Sequence, residues 1–125
     1  MKLNNDCIRD TLLFLEEALP LGGHIRDNVI CDNLSQYNHD DVMYTLQKLF
    51  EGKFISGNES EAKHRAGTIK EITIRGHKLL ENIKPQEAWD QVQNAAKKAG
   101  GFSIDVLADV AKQIAIMYIS KHIGL

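Results

Sequence analysis

Five histidines, two cysteines and two adjacent acidic pairs are the residues whose types could carry chemistry in this chain. A helical zinc site needs two histidines four residues apart, or cysteine pairs that hold the metal between them. His24, His39, His64, His77 and His122 never fall at that spacing, and Cys7 and Cys31 form no C-x-x-C. His77 follows Gly76 at a strand-helix corner. It could donate a proton or bind a ligand there, but packing and hydrogen bonding is the expected role. Gly22-Gly23-His24 sits in neither G-x-x-x-x-G-K-[ST] nor G-x-G-x-x-G, so it is no phosphate loop. No G-x-S-x-G marks a serine nucleophile. Glu16-Glu17 and Asp40-Asp41 are adjacent on helices, where such pairs are ordinarily solvated faces. The expectation is a protein with no catalytic residues, no metal and no cofactor, and not an enzyme.

Positive charge is the remaining chemical signal. Lys53, Lys63, His64, Arg65, Lys70, Arg75 and Lys78 gather in and beside one hairpin, diluted by Glu59, Glu61 and Glu71. Such a cluster can meet phosphates, or it can be a solvated sheet edge that discourages edge pairing. Both readings stay open here.

Those residues must be positioned by a short series of elements. "NDCIRDTLLFLEEAL" puts Cys7 or Ile8, Leu12, Leu15 and Leu19 on one helical stripe, with Leu13 beside it. Asn5 is the expected N-cap, and Pro20 stops the helix. Ile25 to Leu34 reads either as a short strand around Val29-Cys31 or as a short helix. The next helix is marked by Asn38 as cap and Asp41 three residues on, with Val42, Met43, Leu46, Leu49 and Phe50 as its buried face and Gly52 as its end.

"KFISG" and "TIKEITI" then form a hairpin around a polar, flexible tip, "NESEAKHRAG". Ile69, Ile72 and Ile74 are expected inward, with Thr68, Lys70 and Glu71 outward. Thr73 or Arg75 starts another helix, which buries Leu79, Leu80 and Ile83, and Gly76 allows a close approach at the corner. The order of helix, short element, helix and hairpin predicts a winged helix-turn-helix. In that fold Tyr44, Thr45, Gln47 and Lys48 would face a DNA groove, and Lys63, His64, Arg65 and Lys70 would reach phosphates from the wing. Asp40 and Asp41 oppose that use, since duplex DNA carries one charge per ~1.7 Å of axis.

After Pro85, Ala88, Val92, Ala95 and Ala99 form one stripe, widened by Trp89 and Ala96. Ser103 caps a last helix that is apolar nearly all round from Ile114 to Ile119. Ile114, Ile116, Met117, Tyr118 and Ile119 must be covered by the chain's own fold or by a second copy. The fold class is therefore mainly α with a small β-hairpin (α+β): a winged helix-turn-helix-like domain over 1–84, then two C-terminal helices over 85–125.

Bulk composition agrees with one small globular protein. The 125 residues are 43% apolar and 26% charged, with net charge −2, so no global basic field calls for nucleic acid or anionic lipid. Neither a signal peptide nor a membrane span is expected, because "MKLNNDCIRD" lacks an apolar region and no run nears roughly 20 apolar residues. Reduced, buried cysteines and a cytoplasmic setting follow from the absence of cysteine pairing motifs.

Several stretches resemble a family of short bacterial proteins, often prophage-associated, catalogued as a domain of unknown function. The similar features are "MKLNNDCIRDTLLFLEE", the G-H-x-x-L-x-x-I corner from Gly76 to Ile83, Trp89, and the glycine pair before "FSIDVL". "YNHDDVMYTLQKLFEGKFI" is similar to the family's acidic helix and its exit. The resemblance covers most of the chain. It implies a winged-helix-like fold in a phage or mobile-element setting, without activity or catalytic residues. Two functions are expected: a dimeric regulator that binds double-stranded DNA, or a module whose acidic helix around Asp40-Asp41 docks on a host or phage protein.

Overall fold

In the computed structural model, which describes residues 1–101 and 103–123, six helices and a three-stranded antiparallel sheet make the expected mainly helical α+β class. The elements are α1 (Asn5–Ala18), β1 (Ile25–Arg26), α2 (Asp27–Asn33), α3 (His39–Glu51), β2 (Ile55–Glu59), β3 (Gly67–Ile72), α4 (Ile74–Ile83), α5 (Gln86–Ala99) and α6 (Ile104–Ile123). They form two compact units, Met1–His77 and the segment from Lys78 onward.

In the first unit, α1 and α2 both pack on α3, and α1 also meets β3. Asn4, not Asn5, caps α1, because its side chain is the one that reaches the Cys7 N–H, at 3.1 Å. Cys7, Ile8, Leu12 and Leu15 are fully buried, as their spacing requires. Of its two expected forms, the segment from Ile25 to Leu34 takes the short helix over 29–31, and a strand appears only upstream of it. The strand lies at Ile25–Arg26, two residues long, while Val29 to Cys31 is helical. α3 matches its expected pattern: Asn38 accepts from the Asp41 N–H at 2.8 Å, and Val42, Met43, Leu46, Leu49 and Phe50 are buried.

The sheet runs in the order β1-β3-β2. Ile69 and Ile72 are both buried although three residues apart, which a regular strand forbids because side chains alternate between faces. A bulge reconciles them. Ser56 pairs with Glu71 and the next residue, Gly57, with Ile69, so Lys70 is the extra residue.

Ile74 departs from the expected alternation. It is the first residue of α4 and 76% exposed, because Thr73 has already turned the chain. The Thr73 Oγ1 accepts from the Gly76 N–H at 3.1 Å and donates to the Lys53 carbonyl at 2.6 Å. Gly76 lies against the residue just before β2: a Cβ there would stand 2.1 Å from the Phe54 carbonyl oxygen. Only glycine fits this strand-to-helix switch.

In the second unit, α5 packs on α6. Ala88, Trp89, Val92 and Ala96 are buried on α5, and Ile104, Leu107 and Ala111 on α6. Ala99, expected on the stripe, is exposed because α5 ends there. Gly100 and Gly101 have φ of 78° and 110°, and their N–H groups donate to the carbonyls of Lys97 and Ala96 at 3.2 and 2.8 Å. This is a Schellman stop, which needs a left-handed residue. Leu79, Leu80 and Ile83 are buried as expected. No helix among the described residues is long and apolar enough to cross a membrane.

The corner supplies a stability test. Gly76→Ala should cost about 1–3 kcal/mol in urea denaturation, as an overpacked site does, because backbone rather than a mobile side chain meets the new methyl.

Candidate functional site

α3 and the β2–β3 hairpin present the face on which the sequence places its candidate residues. The tip of that hairpin is held by one buried acid. Asp27 opens α2, and its side chain is 1% exposed. Its Oδ2 accepts from the N–H groups of Ala66 and Gly67 at 2.9 and 2.8 Å and from Arg65 Nε at 3.1 Å. Its Oδ1 accepts from a terminal guanidinium nitrogen of Arg65 at 2.5 Å. The fork of Arg65 is thus engaged by both carboxylate oxygens, the geometry arginine suits best.

Burial disfavours the Asp27 charge. The hydrogen bonds from Arg65, Gly67 and Ala66 and the charge of Arg65 outweigh it, and hold the carboxyl at about 2, below its ordinary 3.8. A second clamp comes from α3. Gln47 Nε2 donates to the carbonyls of Lys63 and Arg65, both at 2.9 Å. The tip, expected to be flexible, is therefore tied to two helices.

These contacts redistribute the expected DNA-contacting residues. Thr45 is 1% exposed and belongs to the core, so it faces no groove. It sits on the same helical stripe as Val42 and Leu49, three and four residues away. Gln47 is spent on the hairpin, and Arg65 on Asp27. Lys48 pairs with Glu51 at 2.8 Å and lies 5.4 Å from the centre of the half-buried Tyr44 ring. Lys63, His64 and Lys70 are exposed. Arg75 is drawn to the turn: its Nε donates to the Gly52 carbonyl at 3.1 Å, and its guanidinium lies 4.4 Å from the Phe54 ring centre.

What remains on the face is mainly acidic. An open groove of about 390 Å³ between α3 and the hairpin is lined by Glu51, Glu59 and Glu61, with Lys63 beside them. Asp40 and the half-buried Asp41 lie at the start of α3. The sequence showed all these charges but not the Asp27–Arg65 pairing, which spans 38 residues. Nothing local sets Asp27 apart from Asp32 in the half-polar segment from Ile25 to Leu34.

The cysteines are not poised as nucleophiles. Both are free; Cys7 is buried, but Cys31 is only half-buried, contrary to expectation, because it lies beside the face of the short α2 that buries Asp27 and Ile30. Burial raises the Cys7 thiol against the opposing hydroxyls of Thr45 and Thr11. Burial, then the charges of Asp27 and Asp32, raise Cys31 to about 11. Both thiols stay protonated at neutral pH, and the thiolate is the reactive form. Among the described residues, no three metal-binding side chains come together to hold an ion. Of the residues expected at a dimer contact, Ile116, Met117, Tyr118 and Ile119 are 54%, 69%, 39% and 54% exposed, and Ile114 is half-buried.

Comparison with known proteins adds a family. Residues 2–103 match the family described as "Hypothetical protein (DUF2513)", and the chain belongs to it. A Haemophilus influenzae protein named "Uncharacterized protein" is 27% identical over 125 residues, covering 99% of this chain and 100% of that one. No solved structure matches.

The clamp gives the molecule a defined acid response. The folded carboxyl titrates below the unfolded one, so its stabilisation is complete above pH ~4. It is lost as pH falls toward about 2. The full linkage is at most on the order of 2 kcal/mol, less whatever solvent around Arg65 screens. Asp27→Asn should lower stability at pH 7 and flatten the pH dependence across that window, as read by denaturation at a series of pH values.

Proposed function

We propose that the first unit is a winged helix, with α2 and α3 as its helix-turn-helix and β2–β3 as its wing, working as a protein-docking module rather than a reader of duplex DNA. The carrying observation is the commitment of Arg65 to Asp27. It occupies the wing's strongest phosphate ligand and leaves Asp40, Asp41, Glu51, Glu59 and Glu61 on a face whose remaining lysines are Lys48, Lys63 and Lys70. Lys48 is itself neutralised by Glu51. A phosphate backbone would meet net negative charge along α3 and no surplus of free positive charge on the wing.

The same charges suit a basic segment of another protein. The groove offers carboxylates along its rim and the Phe50 ring edge within, as an arginine or lysine side chain with its apolar stem requires. In the phage or mobile-element setting that the resemblance implied, such a partner would be a host or phage protein. The regulatory reading retains one argument, the order of elements, which is also that of DNA-binding winged helices.

A pair of titrations separates the two. The protein should leave a random-sequence duplex unbound at low salt, yet bind an oligo-arginine peptide with an affinity that falls as salt rises. Glu51→Gln with Glu61→Gln should weaken that peptide binding several-fold. Duplex binding that loses about 0.9 in salt slope for each of Lys48→Ala and Lys63→Ala would overturn the docking reading and restore the DNA one.

A further inference from the structure

The second unit carries an apolar surface that the α3–hairpin face does not use. In the last turns of α6, Ile116 and Ile119 are each 54% exposed. Three residues apart on a helix, they share a side, and Lys112 lies on that same side at i−4 and i−7. Met117 is 69% exposed but falls on the opposite side, two residues from Ile119.

Beside the Ile119 side of α6 runs a groove of about 190 Å³. Its walls are Pro85, Ala88, Ala115, Tyr118 and Ile119, and its lining also includes the carboxylates of Glu81 and Glu87. Both glutamates are exposed, as is Lys112, and none of the three forms an ion pair among the described residues. An apolar stripe that begins with a lysine thus lies next to an apolar groove edged by two glutamates.

We propose that these two surfaces are halves of one interface, filled by α6 of a second copy of this chain. In an antiparallel pair, Ile116 and Ile119 of each copy enter the groove of the other. Lys112 of each then meets Glu81 and Glu87 across the contact. The arrangement is isologous, since every protomer gives one stripe and receives one, and it closes at two copies. Charge complementarity selects a second copy as occupant. A foreign apolar helix would satisfy the groove but would need its own cation to match the two glutamates, and this chain already carries one in register.

Sedimentation velocity on the full chain at micromolar protein tests this, with circular dichroism as a check on folding. The wild type should sediment as a dimer. Ile116→Glu with Ile119→Glu should lower dimer affinity by about tenfold or more, whereas Met117→Glu should leave it unchanged. Both isoleucines are half exposed, so the folded protomer tolerates the change. A charge exchange gives an independent reading. Lys112→Glu alone should weaken the dimer, and Glu81→Lys with Glu87→Lys added to it should restore it. A wild-type monomer overturns the proposal. So does a dimer that survives the isoleucine changes, one broken equally by Met117→Glu, or a charge exchange without rescue.

Discussion

Everything on the α3–hairpin face depends on one buried carboxylate. Asp27 is fully out of water, and a charge there persists only because four donors converge on it. Two are backbone N–H groups at the start of β3, and two come from a single arginine. Because Asp27 also opens α2, the carboxylate ties the hairpin tip to that helix. A solvent-filled loop of this composition would otherwise be free to move. A buried ion pair is weak evidence for stability in itself, but it specifies geometry, since any other placement of the tip leaves the charge uncompensated.

That constraint carries a functional consequence. Arg65 directs its Nε and one terminal nitrogen to Asp27, and the glutamine that would face a groove is closing the hairpin from the other side. Two of the polar side chains on this face, Gln47 and Arg65, thus already hold the hairpin in place. What they build is a rigid, acid-lined groove. Rigidity matters for docking, because a preorganised surface loses less entropy on binding.

Much of the fold was legible in the sequence, for clear physical reasons. The apolar spacing of α1 and α3, the Asn38 cap and the Pro20 stop are local signals, and the structure follows them. The β-to-α switch was legible too, because Gly76 and Thr73 act within a few residues of each other. Where reading failed, the cause was non-local. Thr73, bonded to the Lys53 carbonyl 20 residues away, turns the chain before Ile74, so continued alternation misplaced Ile74. Thr45 is the exception: its place between Val42 and Leu49 on the buried stripe was a local signal, masked by its polar side chain. The roles of Gln47 and Arg65 depend on partners 16 to 38 residues away, which no local pattern encodes. Charge type was visible at the candidate site, but charge pairing was not.

The most direct test of the Asp27 clamp is amide hydrogen exchange at Ala66 and Gly67, followed by NMR at neutral pH. Both N–H groups donate to the Asp27 carboxylate. They should exchange as slowly as the paired amides of β3 in the wild type, and lose that protection selectively in Asp27→Asn while Leu46 and Leu49 in α3 keep theirs. Exchange in the wild type as fast as at the exposed Lys63 and His64 would contradict the account.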